Sequence, residues 1–342
     1  MSISERKNDH IKICLEEDVD GSIKSPWEEI TLPHCANPNI DFAEINIENT
    51  LFDRKFSSPF CISSMTGGTP HAEQINKSLA TLAKEENIPL ALGSQRILLE
   101  ENKTTGVSEL RKQNSEIFLM LNLGLVQLNY GVAIEDCFKL VEHHQAQAFV
   151  FHLNPLQEVI QKEGDTNFKE LFKKFEAVAK KLKDQKIWIV VKETGCGLDT
   201  QSARCFVDLG ADVIENSGWG GSHWGYIEGL RSKNKSDQDL GKLFRNWGIP
   251  SPQNLIDLKK KIGDQAQIIA SGGIKNGLDA ARSIYLGASA VGLAKPFLVA
   301  AQKDLNQLRS FYQSLCQQLK LSIFCTGAKD IRSLAKLSKH GE

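Results

Sequence analysis

The sequence has no apolar run approaching the ~18 residues that a membrane-spanning helix needs. Its first ten residues, Met1-Ser2-Ile3-Ser4-Glu5-Arg6-Lys7-Asn8-Asp9-His10, hold no apolar signal core, so a cytoplasmic protein is expected. There is no C-x-x-C pair. The eight cysteines, at 14, 35, 61, 137, 196, 205, 316 and 325, are scattered, which favours reduced thiols over a disulfide framework or a zinc site. Neither charge sign dominates, with 41 basic against 42 acidic residues. That balance argues against a general nucleic-acid or membrane binder and leaves room for a local basic site. Aromatics are only 7%, which suits a stacking platform for bases less well than an α/β enzyme. No G-x-G-x-x-G opens a helix early in the chain, which weakens a doubly wound dinucleotide-binding sheet. No internal repeat is visible. What is present is 41% hydrophobic residues in a chain of 342, enough for a substantial core, and 26 glycines, which suit an α/β enzyme with many tight loops.

Short apolar runs read as buried parallel strands at Phe60–Ser63, Leu90–Leu92, Ile117–Leu121, Ala148–His152, Ile187–Lys192, Val213–Glu215, Ile268–Ala270 and Ala290–Leu293. Between them lie amphipathic stretches at Ala72–Glu86, Ile134–His144, Phe168–Lys183, Ser202–Leu209, Gln253–Ile262 and Leu278–Leu286. Eight strand candidates alternating with helices imply an α/β fold of the (β/α)₈ barrel kind. Residues 1–58 form an N-terminal extension, 59–296 the barrel core and 297–342 one long final helix with a tail, all in a single domain. The polar stretch Arg231–Asp239 is expected to be a mobile loop.

Barrel chemistry gathers at the C-terminal ends of strands. Here nearly every strand ends in hydroxyl, amide or charged groups: Ser63-Ser64-Met65-Thr66-Gly67-Gly68, Gly93-Ser94-Gln95-Arg96, Asn122, His152-Leu153-Asn154-Pro155-Leu156-Gln157-Glu158, Lys192-Glu193 and Ser217–Trp224. The last two strands deliver Ser271-Gly272-Gly273-Ile274 and Gly292-Leu293-Ala294. In barrels those two loops often hold a phosphate on backbone N–H groups and a helix N-terminus. Lys192 closes an apolar run; it is either an exposed lysine at a strand end or a cation in the barrel mouth that would favour an anionic ligand.

These segments, with Arg6-Lys7-x-Asp9-His10, Trp247-Gly248-Ile249-Pro250 and Cys325-Thr326-Gly327-Ala328-Lys329-Asp330-Ile331, resemble the type 2 isopentenyl-diphosphate isomerases over almost the whole chain. The resemblance implies an FMN-binding barrel that interconverts isopentenyl and dimethylallyl diphosphate with reduced FMN and Mg²⁺, drawing electrons from NAD(P)H. It implies FMN contacts from Met65, Thr66, Ser94, Asn122, Lys192, Ser217 and Ser222, with Gly272, Gly273 and Ala294 on the phosphate. Arg6, Lys7, His10, Ser94, Gln95, Arg96, His152, Asn154, Gln157 and Trp224 would line the substrate. Gln157 would stand by the reacting carbons, positioning or relaying beside the flavin as main acid/base, and Glu158 would bind Mg²⁺. The residue types suit that chemistry. A diphosphate wants Arg forks and Lys point charges, and Mg²⁺ is commonly held by one carboxylate plus phosphate.

The resemblance also suggests a homotetramer or homo-octamer with small prenyl diphosphates as its only ligands besides cofactors. Residues 1–12 would close over the substrate as a lid. Two departures stand out: Trp219 and His223 are bulkier than the family pattern and would alter the mouth, an oligomer contact or flavin exposure. Rival readings remain. An FMN-dependent hydroxy-acid oxidase or dehydrogenase would need a His base beside an Arg near the last strands, and no such pair follows the seventh strand. A nucleotide reductase would need a reactive loop thiol, for which Cys196 is the candidate. A non-catalytic flavin or prenyl-diphosphate binder would not need Gln157 and Glu158.

Overall fold

The computed structural model describes residues 3–21, 24–65, 69–101, 111 and 114–338. Helix α1 (Ile3–Glu16) opens the chain, and an antiparallel hairpin, β1 (Asn49–Leu51) and β2 (Arg54–Phe56), precedes the barrel. Eight parallel strands follow: β3 (Phe60–Ile62), β4 (Leu90–Ser94), β5 (Leu119–Gly124), β6 (Ala148–Leu153), β7 (Trp188–Glu193), β8 (Val213–Glu215), β9 (Gln267–Ala270) and β10 (Ala290–Leu293). They close in chain order, with β10 joining β3 through Val291–Phe60, Gly292–Cys61 and Leu293–Ile62. This is the barrel that the alternating pattern implies, with strand ends displaced by at most three residues.

The covering helices are α2 (Pro70–Glu85), α3 (Arg96–Glu101), α4 (Ile134–His144), α5 (Pro155–Ile160), α6 (Leu171–Asp184), α7 (Thr200–Asp208), α8 (Trp224–Arg231), α9 (Lys235–Leu243), α10 (Ser251–Ile262), α11 (Gly277–Tyr285), α12 (Lys295–Lys303), α13 (Leu305–Cys325) and α14 (Ile331–Leu337). Their apolar stripes pack against the outward-facing strand residues in one large core that includes Phe149, Phe151, Phe175 and Phe297.

A second core fills the barrel itself: Cys61, Ala91, Met120, Val150, Val190, Val213, Ile269 and Ala290 meet the hairpin residues Leu51, Phe52 and Phe56. Phe52 stacks on Phe118 with ring centres 4.6 Å apart, plugging the N-terminal end. Side chains alternate faces along a strand. Two residues beyond each apolar position the inward set therefore becomes Ser63, Gly93, Asn122, His152, Lys192, Glu215, Ser271 and Gly292. The barrel is apolar at the plugged end and polar at the open one, and that change of character locates the site.

Two expectations need correction. Arg231–Asp239 is not one mobile loop: α8 runs to Arg231 and α9 starts at Lys235. Asn234 caps α9 by accepting from the Ser236 N–H at 2.9 Å, and Ser232 Oγ donates to Asp237 at 2.8 Å, so the polar residues are caps rather than linker. The segment after 297 is also not a single long helix. Asp304 is extended (φ −170°) and accepts from the Gln307 N–H, ending α12 and capping α13.

Helices α8 and α9 cross where Gly229 meets Gly241; a Cβ at Gly229 would lie 2.8 Å from the Gly241 Cα. Gly229→Val should force the two backbones apart, cost roughly 2–3 kcal/mol and lower the melting temperature by several degrees; an unchanged melting curve would contradict this packing.

Candidate active site

Two cavities open at the polar end. The first, about 140 Å³, is lined by Arg6, Lys7 and His10 of α1 and by Met65, Ser94, Arg96, Asn122, His152, Asn154, Gln157 and Glu158. The spacing of 6, 7 and 10 puts these three near one face of a helix. Lys7 Nζ donates to the Ser94 carbonyl at 2.9 Å, and Arg96 pairs with Asp165. The basic side chains thus converge on the mouth from α1 and from the start of α3. Gln95 does not line either cavity: it is buried and its amide donates to the Gly93 carbonyl at 2.7 Å. Thr66 lies outside the described residues.

Asn122 Nδ2 donates to Ser64 Oγ (3.0 Å), which turns its Oδ1 towards His152 Nδ1 at 2.7 Å. His152 therefore donates from Nδ1 and keeps Nε2 without that proton. Burial, helped by the nearby Lys192, pushes the His152 pKa down to about 3. It is a neutral polar group at physiological pH and not a strong acid.

Asn154 Nδ2 donates to Gln157 Oε1 (3.0 Å) and to Glu158 Oε1 (2.9 Å), while the Asp165 N–H donates to Glu158 Oε2 (2.7 Å). Burial raises the Glu158 carboxyl against these N–H groups, so its charge in this dry position favours a cation beside it. Among the described residues no cluster of three or more His, Cys, Asp or Glu could hold a metal alone. A divalent cation here would need ligands from the substrate as well.

One organising residue is absent from the sequence-based set. Glu228 of α8 is 1% exposed. Its Oε1 lies 2.8 Å from His10 Nε2 and accepts from Gln157 Nε2 at 3.1 Å, and its Oε2 accepts from Arg231 Nε at 2.7 Å. Burial pushes this carboxyl up, but His10 and Arg231 outweigh it and hold the pKa at about 2. One carboxylate thus docks α1 onto α8 and fixes which end of the Gln157 amide faces Asn154. The signal was an acid beside Ile227 on the buried face of a short helix, a position where an unpaired carboxylate is too costly to keep.

The second cavity, about 650 Å³, runs from Ser63, Lys192, Thr194 and Glu215 past Ser217 and Ser222 to Gly272, Gly273, Ala294 and Lys295. Lys192 is buried, donates to the Glu193 carbonyl (2.6 Å) and lies 4.0 Å from Glu215 Oε1, so it faces the barrel interior. The turn after β9 is built for close backbone approach. Gly272 and Gly273 have φ +90° and +75°, and a Cβ at Gly273 would meet the Gly220 carbonyl oxygen at 2.6 Å. The Gly272 carbonyl accepts from Trp27 Nε1 at 2.8 Å, so it is already occupied from the N-terminal extension. Ser222 Oγ is buried with no hydrogen-bond partner. An orphan hydroxyl, a glycine cradle and the N-terminus of α12 on one wall fit a bound phosphate with an attached polar ligand. Ser64, Lys192, Thr194 and Trp224 line both cavities, so ligands in the two would meet there.

The two bulky departures lie outside the mouth. Trp219 packs over Gly21 and donates its N–H to the Arg245 carbonyl (3.3 Å). His223 caps α8 by accepting from the Tyr226 N–H (3.2 Å), and its Nε2 donates to the Trp247 carbonyl (3.1 Å). Cys196 lies 3.5 Å from that ring, but burial raises its thiol far above the reactive range.

Fold and cradle together define a (β/α)₈ barrel of the flavin-binding kind, and a family model described as FMN-dependent dehydrogenase matches residues 128–339. Solved structures agree on the fold. A mandelate oxidase variant with (S)-mandelic acid superposes with a TM-score of 0.66 at 15% identity, covering 98% of each chain. A flavocytochrome b2 variant with benzoylformate gives 0.64 at 16%, covering 91% of this chain and 76% of that one. In sequence the chain is 38% identical over 331 residues to the isopentenyl-diphosphate delta-isomerase of Rickettsia bellii (strain RML369-C), covering 97% of this chain and 96% of the relative. It is also 38% identical over 338 residues to that of Oceanobacillus iheyensis, covering 98% and 96%. The chain belongs to the isopentenyl-diphosphate delta-isomerase family.

Glu228 supplies a pH test. A carboxyl held at about 2 in the folded chain and near 4.5 when free stabilises fully above pH 4.5 and loses that contribution as pH falls towards 2. Glu228→Gln should cost about 3 kcal/mol at neutral pH and flatten that acid limb; denaturant melts showing parallel pH curves for the two proteins would contradict the role.

Proposed function

We propose that this chain interconverts isopentenyl and dimethylallyl diphosphate by a 1,3-allylic proton shift, with reduced FMN in the larger cavity and the diphosphate in the smaller. The observation that carries the reading is the shared wall of Ser64, Lys192, Thr194 and Trp224, where a flavin ring and an alkenyl chain would touch. Gly272, Gly273 and Ala294 would hold the flavin phosphate. Lys192, Ser217 and Ser222 would meet the rest of the cofactor there, and Met65, Ser94 and Asn122, which line the smaller cavity, would meet its ring across the shared wall, with Thr66 nearby in sequence.

The reaction gives one carbon a proton and takes one from another. Protonating an unactivated alkene produces a tertiary cation, which needs a strong acid and a dry, electron-rich cavity. His152 is neutral and Gln157 does not titrate, so this chain's own residues bind and position. When bound, reduced FMN supplies a ring N–H as proton donor and an electron-rich face. Arg6, Lys7 and Arg96 would grip the diphosphate, with Arg96 exchanging Asp165 for phosphate oxygens. Glu158 would share Mg²⁺ with the diphosphate, and His152 and Asn154 would line its path. Gln157, oriented by Glu228 and Asn154, would stand at the reacting carbons, with Trp224 walling the alkene side. NAD(P)H would serve only as the source of electrons for the flavin.

On this reading the barrel and both terminal segments work as one cytoplasmic domain. α1 closes over substrate, and the chain assembles as a homotetramer or homo-octamer. The exposed Leu243 and Trp247 offer apolar surface for such assembly.

Purified protein should be yellow, and after reduction it should convert isopentenyl diphosphate in the presence of Mg²⁺. Equal turnover by oxidised or flavin-free protein, or NAD(P)H oxidation coupled to a hydroxy acid, would sink the proposal. Gln157→Leu should lower kcat by about 100-fold with flavin binding unchanged, and Glu158→Gln should raise the Mg²⁺ concentration needed for half-maximal rate.

A further inference from the structure

We infer that Asp20 is a built-in competitor for the phosphate end of the larger cavity and sets the chain's affinity for a dianionic phosphate monoester; the inference rests on the flavin reading above. Two lysines border that end beside Gly272, Gly273 and Ala294: Lys275, after β9, and Lys295, in the first turn of α12. Asp20 reaches both. Its Oδ2 lies 2.8 Å from Lys275 Nζ and its Oδ1 3.3 Å from Lys295 Nζ. The Asp20 side chain is 16% exposed and that of Lys295 24%, while Lys275 is 52% exposed, so the carboxylate is shielded on the Lys295 side and open to solvent on the Lys275 side.

The backbone that delivers Asp20 is anchored independently of the lysines. Residues 20 and 222 form a β-bridge, the His223 N–H donates to the Val19 carbonyl at 3.0 Å, and Arg245 Nε donates to the Asp20 carbonyl at 2.8 Å. The carboxylate could therefore leave the lysines without moving the segment. It presents the same sign and the same acceptor geometry as a phosphate oxygen pair.

Charge counting gives the consequence. Two lysines match a phosphate dianion. With Asp20 in place they carry one net positive charge between them, and an incoming dianion must either displace the carboxylate or sit beside it. Both cost affinity. In the flavin-free chain the same carboxylate keeps two neighbouring ammonium groups from repelling each other, which explains its presence.

The test is a fluorescence titration of the full chain, stripped of flavin, with FMN and with riboflavin, which has the same ring and ribityl chain but no phosphate. Wild type, Asp20→Asn and Asp20→Ser are compared. Both variants should bind FMN more tightly, by on the order of fivefold, with riboflavin affinity unchanged and the FMN gain shrinking at high salt. Unchanged or weaker FMN binding in both variants overturns the inference, and so does an equal gain for riboflavin. A wild-type chain that binds neither flavin overturns the flavin reading itself.

Discussion

The pairing of β10 with β3 is the constraint on which the site depends. Until Val291, Gly292 and Leu293 meet Phe60, Cys61 and Ile62, the glycine cradle after β9 and β10 belongs to one end of the sequence and Ser63-Ser64-Met65 to the other. Closure brings them to one rim. It also brings the position of Gly292 close to the polar layer: a Cβ there would run into Ser63 Oγ and come within 3.3 Å of Glu215 Oε1, so any larger residue would displace those side chains. The two-residue alternation then does the remainder: plugged by Phe52 and stacked Phe118, the barrel can carry a polar inner layer only at its open end.

Burying that layer is unfavourable unless its groups are paired, and nearly every one is. Asn122 serves Ser64 and His152, Asn154 serves Gln157 and Glu158, and Glu215 accepts from Ser63 Oγ at 2.9 Å. Glu228 ties α1, α5 and α8 together through His10, Gln157 and Arg231. The amide side chains are therefore oriented before any ligand arrives, which is the preorganisation that an uncharged binding group needs. Glu193 follows the same rule: its Oε2 accepts from the N–H groups of Thr194, Cys196 and Gly197, although burial still lifts the carboxyl to about 7. Two buried atoms without partners, Ser222 Oγ and Asn154 Oδ1, belong to residues that line the two cavities.

Much of this was readable from the residues. Strand ends rich in amides and hydroxyls, the Gly-Gly turn and the lysine after an apolar run all reappear at the open rim, because period-two strands leave little freedom in where such residues point. Arg6, Lys7 and His10 were readable as a set, but not the carboxylate that seats them. Glu228 follows its partner His10 by more than two hundred residues, and only the docking of α1 on α8 joins them. The orientation of Gln95 was not readable for a local reason: after a bulge in β4 its amide folds back on the Gly93 carbonyl. The stretch at 231–239 looked like linker because capping residues and linker residues are the same types; the Gly229–Gly241 approach that turns it into a helix pair is a tertiary fact.

The central claim is that two ligand cavities share one wall at Ser64, Lys192, Thr194 and Trp224. Visible difference spectroscopy on the flavin-loaded protein tests it most directly. Titration with isopentenyl diphosphate and Mg²⁺ should perturb the flavin absorption bands in a saturable way, since the alkenyl chain would lie against the ring. A diphosphate that binds, by calorimetry, and leaves the flavin spectrum unchanged would contradict the claim.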